Sequence, residues 1–227
     1  LKERWVMQES ISAPQVGGII RMTGFILRTA LIIEGVGALL LALRFCPQFG
    51  LWKGIWYGVF HGVSAFCNAG FDLMGSEVPY SSLTAYGADP LVCVTVALLI
   101  IVGGIGFMVI LDVGRCRGQF HRMTFHTKVV LSTTAVLLVG GAVLLQLTDH
   151  MGWLAALFQS MTARTAGFSS VDLGSMSNAG LLVIMILMFI GASPGSTGGG
   201  IKTTTFFVLM QQVRSIFSKR RLGGFHR

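Results

Sequence analysis

Four long apolar runs punctuate the chain, at roughly residues 25–45, 90–112, 128–147 and 179–212. A helix needs about 20 apolar residues to cross a bilayer core, and each run meets or exceeds that length. Backbone groups in hydrocarbon must bond within their own segment, so each run predicts a transmembrane helix. Two shorter amphipathic stretches, 52–65 and 153–163, lie between runs one and two and between runs three and four. They are too short to cross, so each is expected to dip into the membrane and return on the same side. Backbone that leaves helix geometry at that depth is tolerated only where it is buried in protein or lines a water-filled cavity. The pattern therefore points to a pore.

The two short stretches belong to a repeat. GIWYGVFHGVSAFCNAGFDL (54–73) and GWLAALFQSMTARTAGFSSVDL (152–173) share an amphipathic segment, small and hydroxyl residues, and then Ala-Gly-Phe. The copies are Ala69-Gly70-Phe71 and Ala166-Gly167-Phe168. Each lies between a run leading out and a run leading back, so both units share one orientation, as parallel repeats do. The expected fold is all-α and integral to the membrane. It has two tandem membrane helix–pore helix–membrane helix units, residues 1–113 and 114–227, with four transmembrane helices and two re-entrant pore loops.

The last of these helices is predicted to be broken. Residues 191–200 hold five glycines and Pro194. At about 1 kcal/mol per Gly and 3 per Pro, continuous helix there is disfavoured by roughly 8 kcal/mol. About twelve residues flank the break on each side, which places it near mid-membrane. Gly191, Ser193, Pro194, Gly195, Ser196, Thr197, Gly198, Gly199 and Gly200 thus form a polar, flexible segment, expected to plug the path below the pore loops and to withdraw on opening. Lys202 would anchor this loop or repel ions in the closed state.

Composition supports the membrane reading and charge adds a topology. Hydrophobic residues are 53% of the chain and charged residues 11%, with a mean hydropathy of +0.73; soluble domains carry about 25% charged residues. The net charge of +8 is clustered at Lys2/Arg4/Arg21/Arg28, Arg115/Arg117/Arg122/Lys128 and Arg214/Lys219/Arg220/Arg221/Arg227. Asp72, Glu77 and Asp89 sit in a stretch without Lys or Arg. Basic loops stay cytoplasmic, so both ends and the middle loop are expected inside and the acidic loop outside. The basic residues flank apolar spans, which argues against nucleic-acid binding. The four cysteines form no CxxC pair, and Cys116, His121 and His126 match no standard zinc spacing. No cleavable signal peptide is visible, and a chain opening on Leu1 reads as a fragment.

A bare cation needs oxygens in place of its water, and backbone carbonyls from related loops supply them. Gly70 and Gly167 allow the dihedrals this requires. The candidate filter is Cys67, Asn68, Ala69 and Gly70 in one unit and Arg164, Thr165, Ala166 and Gly167 in the other. Thr165 or Asn68 would add a side-chain oxygen, and Phe71 and Phe168 would wedge the loops against neighbouring helices. A guanidinium aimed into the filter repels cations, so Arg164 is expected to point away, to a carboxylate or to helix carbonyls. His61 and Asp72 flank the first loop. Within the first run, Arg28 is placed to snorkel, and Glu34 to pack or pair against another helix rather than to carry ions. A phosphate-loop reading of 195–200 fails because Ile201 separates the glycines from Lys202. A membrane enzyme built on that loop would need a nucleophile, base or metal ligand nearby, and the sequence offers none. No cofactor is expected. A chain with two pore units that is complete as a dimeric channel stays open at this point.

FHGVSAFCNAGFDL, FQSMTARTAGFSSVDLG and FIGASPGSTGGGIKTTT, with LIIEGVGALLLALRF and GGIGFMVILDV, closely resemble the Trk/Ktr/HKT superfamily of potassium transporters, in particular its bacterial pore-forming subunit. The resemblance implies four covalently linked membrane–pore–membrane units around one filter, of which this chain would match the second and third. It implies K+ as the transported ion, bound at the filter residues named above, and residues 191–200 as the gating loop. It also implies a cell-membrane homodimer regulated by a cytosolic nucleotide-binding ring on the side of the basic segments. Those segments equally suit contact with lipid headgroups. Cys67 stands where the family often carries Asn.

Overall fold

The computed structural model describes residues 19–217. Its helices are α1 (Ile19–Phe49), α2 (Leu51–Phe66), α3 (Pro90–Ile105), α4 (Phe107–Arg115), α5 (Phe125–Asp149), α6 (Trp153–Thr162), α7 (Asn178–Phe189) and α8 (Thr203–Phe217). Among the described residues the β pairing is a single bridge between Ile190 and Ile201. The basic residues Lys2 and Arg4, and those from Lys219 to Arg227, lie outside the described residues. The fold is that of an all-α membrane protein. Helices α1 and α5 contain apolar segments, Met22–Phe49 and Phe125–Asp149, long enough to cross a bilayer.

The element order runs twice through long helix, short helix, glycine loop and apolar helix. Each long helix reverses into its short helix through a left-handed glycine: Gly50 at φ 82° and Gly152 at φ 86°. In the first unit α2 folds back along α1. Gly54, Gly58 and Gly62 lie on the face of α2 that meets α1. A Cβ on Gly54 would meet the Cys46 nitrogen at 2.5 Å, and one on Gly58 would meet the Ala38 carbonyl at 2.7 Å. This stripe at every fourth residue permits backbone-to-backbone packing, as small residues do between membrane helices. The core of this unit contains Phe45, Tyr57, Phe66, Val92 and Val96, and it runs on to Phe158 and Phe168 of the second unit. Asp89 caps α3 by accepting from Leu91 and Val92 N–H and pairs with Arg44 near the end of α1. Burial alone would raise its carboxyl, but the Arg44 guanidinium and those two N–H groups outweigh it and hold the pKa below the usual value.

Two apolar runs depart from straight helices. The second, expected as one span over 90–112, is bent by 94° between α3 and α4. The hinge is Gly106, at φ 95° and ψ 144°. Past the hinge, the Phe107 N–H has a tertiary partner and donates to Gly195 O at 3.1 Å. The fourth run breaks over 190–202, as its glycine content predicts, with α7 before the break and α8 after it.

Candidate functional site

The two glycine loops meet. A Cβ on Gly70 would collide with the Ala166 carbonyl oxygen, and one on Gly167 would lie 3.5 Å from the Gly70 Cα. The backbone pattern repeats at equivalent positions. Asn68 and Gly70 have φ of 51° and 71°, and Thr165 and Gly167 have φ of 80° and 91°, whereas Ala69 and Ala166 are not left-handed. A strand of uniform hand points successive carbonyls to opposite sides. Reversing the hand at every second residue turns them to the same side. Among the described residues, no hydrogen bond is made to the carbonyls of Asn68, Ala69 and Gly70 or of Thr165, Ala166 and Gly167. Ala69 and Gly167 are exposed. Helices α2 and α6 both end at these loops, so their negative C-terminal ends lie beside the free carbonyls, an arrangement that favours a cation.

Each loop is closed by a hydroxyl from the last turn of its short helix. Ser64 Oγ donates to Phe71 O at 2.7 Å, and Thr162 Oγ1 donates to Phe168 O at 2.7 Å. The span from hydroxyl to glycine is one residue longer in the first unit, which explains why aligning the glycines does not align the hydroxyls. His61 adds a second brace. Its buried ring donates through Nδ1 to Tyr57 O at 2.7 Å and accepts through Nε2 from the Leu73 N–H at 3.3 Å, which fixes the neutral tautomer. Hydroxyl residues before both loops are visible in the sequence, but nothing there assigns Ser64 and Thr162 a role.

The side chains around the loops are placed as follows. The Asn68 amide is buried and turned inward, donating to Thr197 Oγ1 at 2.9 Å. Thr165 Oγ1 is buried and lies 2.8 Å from where a Cβ on Gly198 would sit. Neither side chain is spread into open space. Phe168 is buried, but Phe71 is 69% exposed, so only one of the two expected wedges packs within this chain. Arg164 is buried and donates to Gly191 O at 3.1 Å, a carbonyl just beyond α7 and not a carboxylate. Asp72 Oδ1 accepts from the Met74 N–H at 3.0 Å, in a turn. Cys67 Sγ faces Glu34 Oε1 at 3.9 Å, which brings the intramembrane carboxylate of α1 to the first loop.

The glycine-rich segment packs against both loops. A Cβ on Gly191 would meet the Gly200 Cα at 2.6 Å, so the two arms of the segment lie back to back. Ser193 Oγ shares a hydrogen bond with Thr203 Oγ1 at 3.1 Å, Ser196 Oγ donates to Ser193 O at 2.6 Å, and Lys202 Nζ donates to Gly198 O at 2.7 Å. Lys202 therefore braces the segment internally. The Thr197 N–H donates to Gly103 O and the Ser193 N–H to Gly104 O, at 3.2 and 3.0 Å. The bend in α3–α4 and the break in α7–α8 thus satisfy each other's backbone groups. The Gly-Gly-Ile-Gly string at 103–106 lies at this junction. A cavity of about 1260 Å³, lined in part by Phe25, Met108, Asp112 and Arg115, borders Pro194 and Gly195. The described residues contain no cluster of three or more His, Cys, Asp or Glu suited to a metal.

Comparison with known proteins gives the family and the fold. Residues 17–148 and 119–222 match the TrkH family, described as a cation transport protein. The chain is 41% identical to the potassium/sodium uptake protein NtpJ of Enterococcus hirae, over 99% of this chain and 51% of that protein. It is 42% identical to the Ktr system potassium uptake protein B of Vibrio alginolyticus, over 92% of this chain and 48% of that protein. The chain spans about half the length of these relatives. The solved structure of the potassium transporter TrkH from Vibrio parahaemolyticus superposes with a TM-score of 0.74 at 15% identity, covering 98% of this chain and 48% of that one, which establishes a shared fold. With two reversed-hand loops in contact and a family match along nearly its whole described length, the chain belongs to the TrkH family of cation transport proteins.

Proposed function

We propose that this chain supplies two units, residues 1–113 and 114–227, of a cell-membrane potassium uptake pathway. The reading rests above all on the alternating left-handed residues Asn68/Gly70 and Thr165/Gly167 with their unpartnered carbonyls. Cys67 to Gly70 and Arg164 to Gly167 form two segments of the selectivity filter and offer backbone oxygens to K+. Ions move down their electrochemical gradient, with no covalent chemistry. The 191–200 segment is the gate, with Lys202 bracing it. Potassium is the ion named for both relatives above, and one of them also names sodium. The word "system" in the Ktr name fits further subunits. The proposed assembly is a homodimer of the whole polypeptide with a cytosolic nucleotide-binding ring, the basic loop 115–128 and both ends of the chain lying on the cytoplasmic side.

The test is K+ uptake by the whole polypeptide in cells lacking their own uptake systems. Gly70→Asp and Gly167→Asp each place a side chain at a left-handed position, and at Gly70 it collides with the other loop. Both variants are expected to abolish uptake or change ion preference. Normal uptake and preference in both would reject the filter assignment.

A further inference from the structure

Thr197 lies in the glycine-rich segment, yet its hydroxyl works at the first filter loop. It donates to Phe66 O, the final carbonyl of α2, at 2.9 Å. It also accepts from Asn68 Nδ2 at 2.9 Å. Asn68 is the first left-handed residue of that loop, at φ 51°. Asn takes that hand more readily than other non-glycine residues because its short amide can hydrogen-bond, so a bond to that amide helps hold the loop there. The rest of the amide's surroundings are weaker: Nδ2 lies 3.4 Å from both Phe66 O and Ile100 O. Space for the junction comes from Gly103, where a Cβ would strike Phe66 O and approach Thr197 Oγ1 at 2.9 Å. The second loop has no matching bond. Thr165, at the position equivalent to Asn68, has an Oγ1 without a partner among the described residues.

We infer that Thr197 is a positioning residue for the filter: its hydroxyl fixes the Asn68 side chain and with it the hand of the first loop. The inference rests on the filter reading above and extends it, because the ion preference of that loop then depends on where the glycine-rich segment sits. When the segment moves away, Asn68 loses its shortest side-chain partner, and the loop is free to relax from the geometry that matches a bare ion.

The experiment uses the whole polypeptide reconstituted in liposomes, with K+ and Na+ influx measured separately. Thr197→Val removes the hydroxyl and keeps the shape. The K+ over Na+ preference is expected to fall about three- to tenfold, the scale set by losing the bond to Asn68, one of the two half-buried bonds that the hydroxyl makes. Thr197→Ala carries the same expectation if the valine variant fails to accumulate. Thr197→Ser retains the hydroxyl and is expected to keep the parent preference. Unchanged preference in the valine or alanine variant overturns the inference, and so does a change in total flux alone. A serine variant as impaired as valine also overturns it, since packing of the methyl group would then be responsible. If Gly70→Asp and Gly167→Asp alter preference while Thr197→Val does not, only the positioning role fails. If none of these alters it, the filter reading falls and takes this role with it.

Discussion

At the scale of single residues, the site depends on side chains that face away from the candidate pathway. Ser64 and Thr162 close their loops through bonds of the same length, but in different surroundings. Thr162 and Phe168 are both buried, whereas Phe71 is exposed. An acceptor that loses its donor where water cannot reach costs about 1–3 kcal/mol, and less where water replaces the donor. Thr162→Val is therefore expected to lower the thermal denaturation midpoint of the detergent-solubilised protein more than Ser64→Ala does. An equal or reversed order would show that the two clamps do not differ as their burial implies. The loop glycines Gly70 and Gly167 were legible in the sequence because Ala-Gly-Phe recurs at equivalent places. The clamps were harder to read: a one-residue difference in loop length puts Ser64 and Thr162 out of register once the glycines are aligned. The inward turn of Asn68 was not legible, since its partner is 129 residues away along the chain.

At the scale of elements, two interruptions that are each unfavourable alone are compatible because they pair. Gly103 O, Gly104 O and the Phe107 N–H give up bonds within a helix and find Thr197, Ser193 and Gly195. At membrane depth such groups need a protein partner or a water-filled cavity, and each interruption supplies partners to the other. The sequence signalled one of them clearly, since five glycines and a proline in ten residues exclude a helix. It hid the other, because Gly-Gly-Ile-Gly sits inside an otherwise uniform apolar run and reads as helix until its partner is known. Long runs and short amphipathic stretches were legible for the opposite reason, since length and periodicity are local properties. Under the gate reading, deleting residues 191–200 removes the plug and is expected to raise K+ flux through the whole polypeptide in liposomes. Flux equal to that of the parent would end the gate assignment, whatever the ion preference.

At the scale of the whole molecule, the two units are joined at more than the glycine loops. The Leu83 N–H donates to Ser169 O at 2.9 Å, and Ser82 Oγ accepts from the Ser169 N–H at 3.1 Å. The segment that follows the first loop is thereby tied to the one that follows the second, which fixes how the two rows of free carbonyls face each other. Their remaining sides stay open: Ala69, Phe71 and Gly167 are exposed, and large apolar side chains such as Leu31, Leu39, Val136 and Val139 face outward. Under the filter reading, a dehydrated K+ held by two loops has oxygens on only part of its surface, whereas four loops can surround it. The uncompensated part of its hydration energy would exclude it, because burying a charge without partners is costly. Residues 1–227 produced alone are therefore expected to insert in the membrane and yet give no K+-dependent growth in cells lacking uptake systems, while the whole polypeptide restores it. Growth supported by 1–227 alone, together with crosslinking between cysteines placed at Phe71 in two copies, would show instead that a pair of these chains completes the ring.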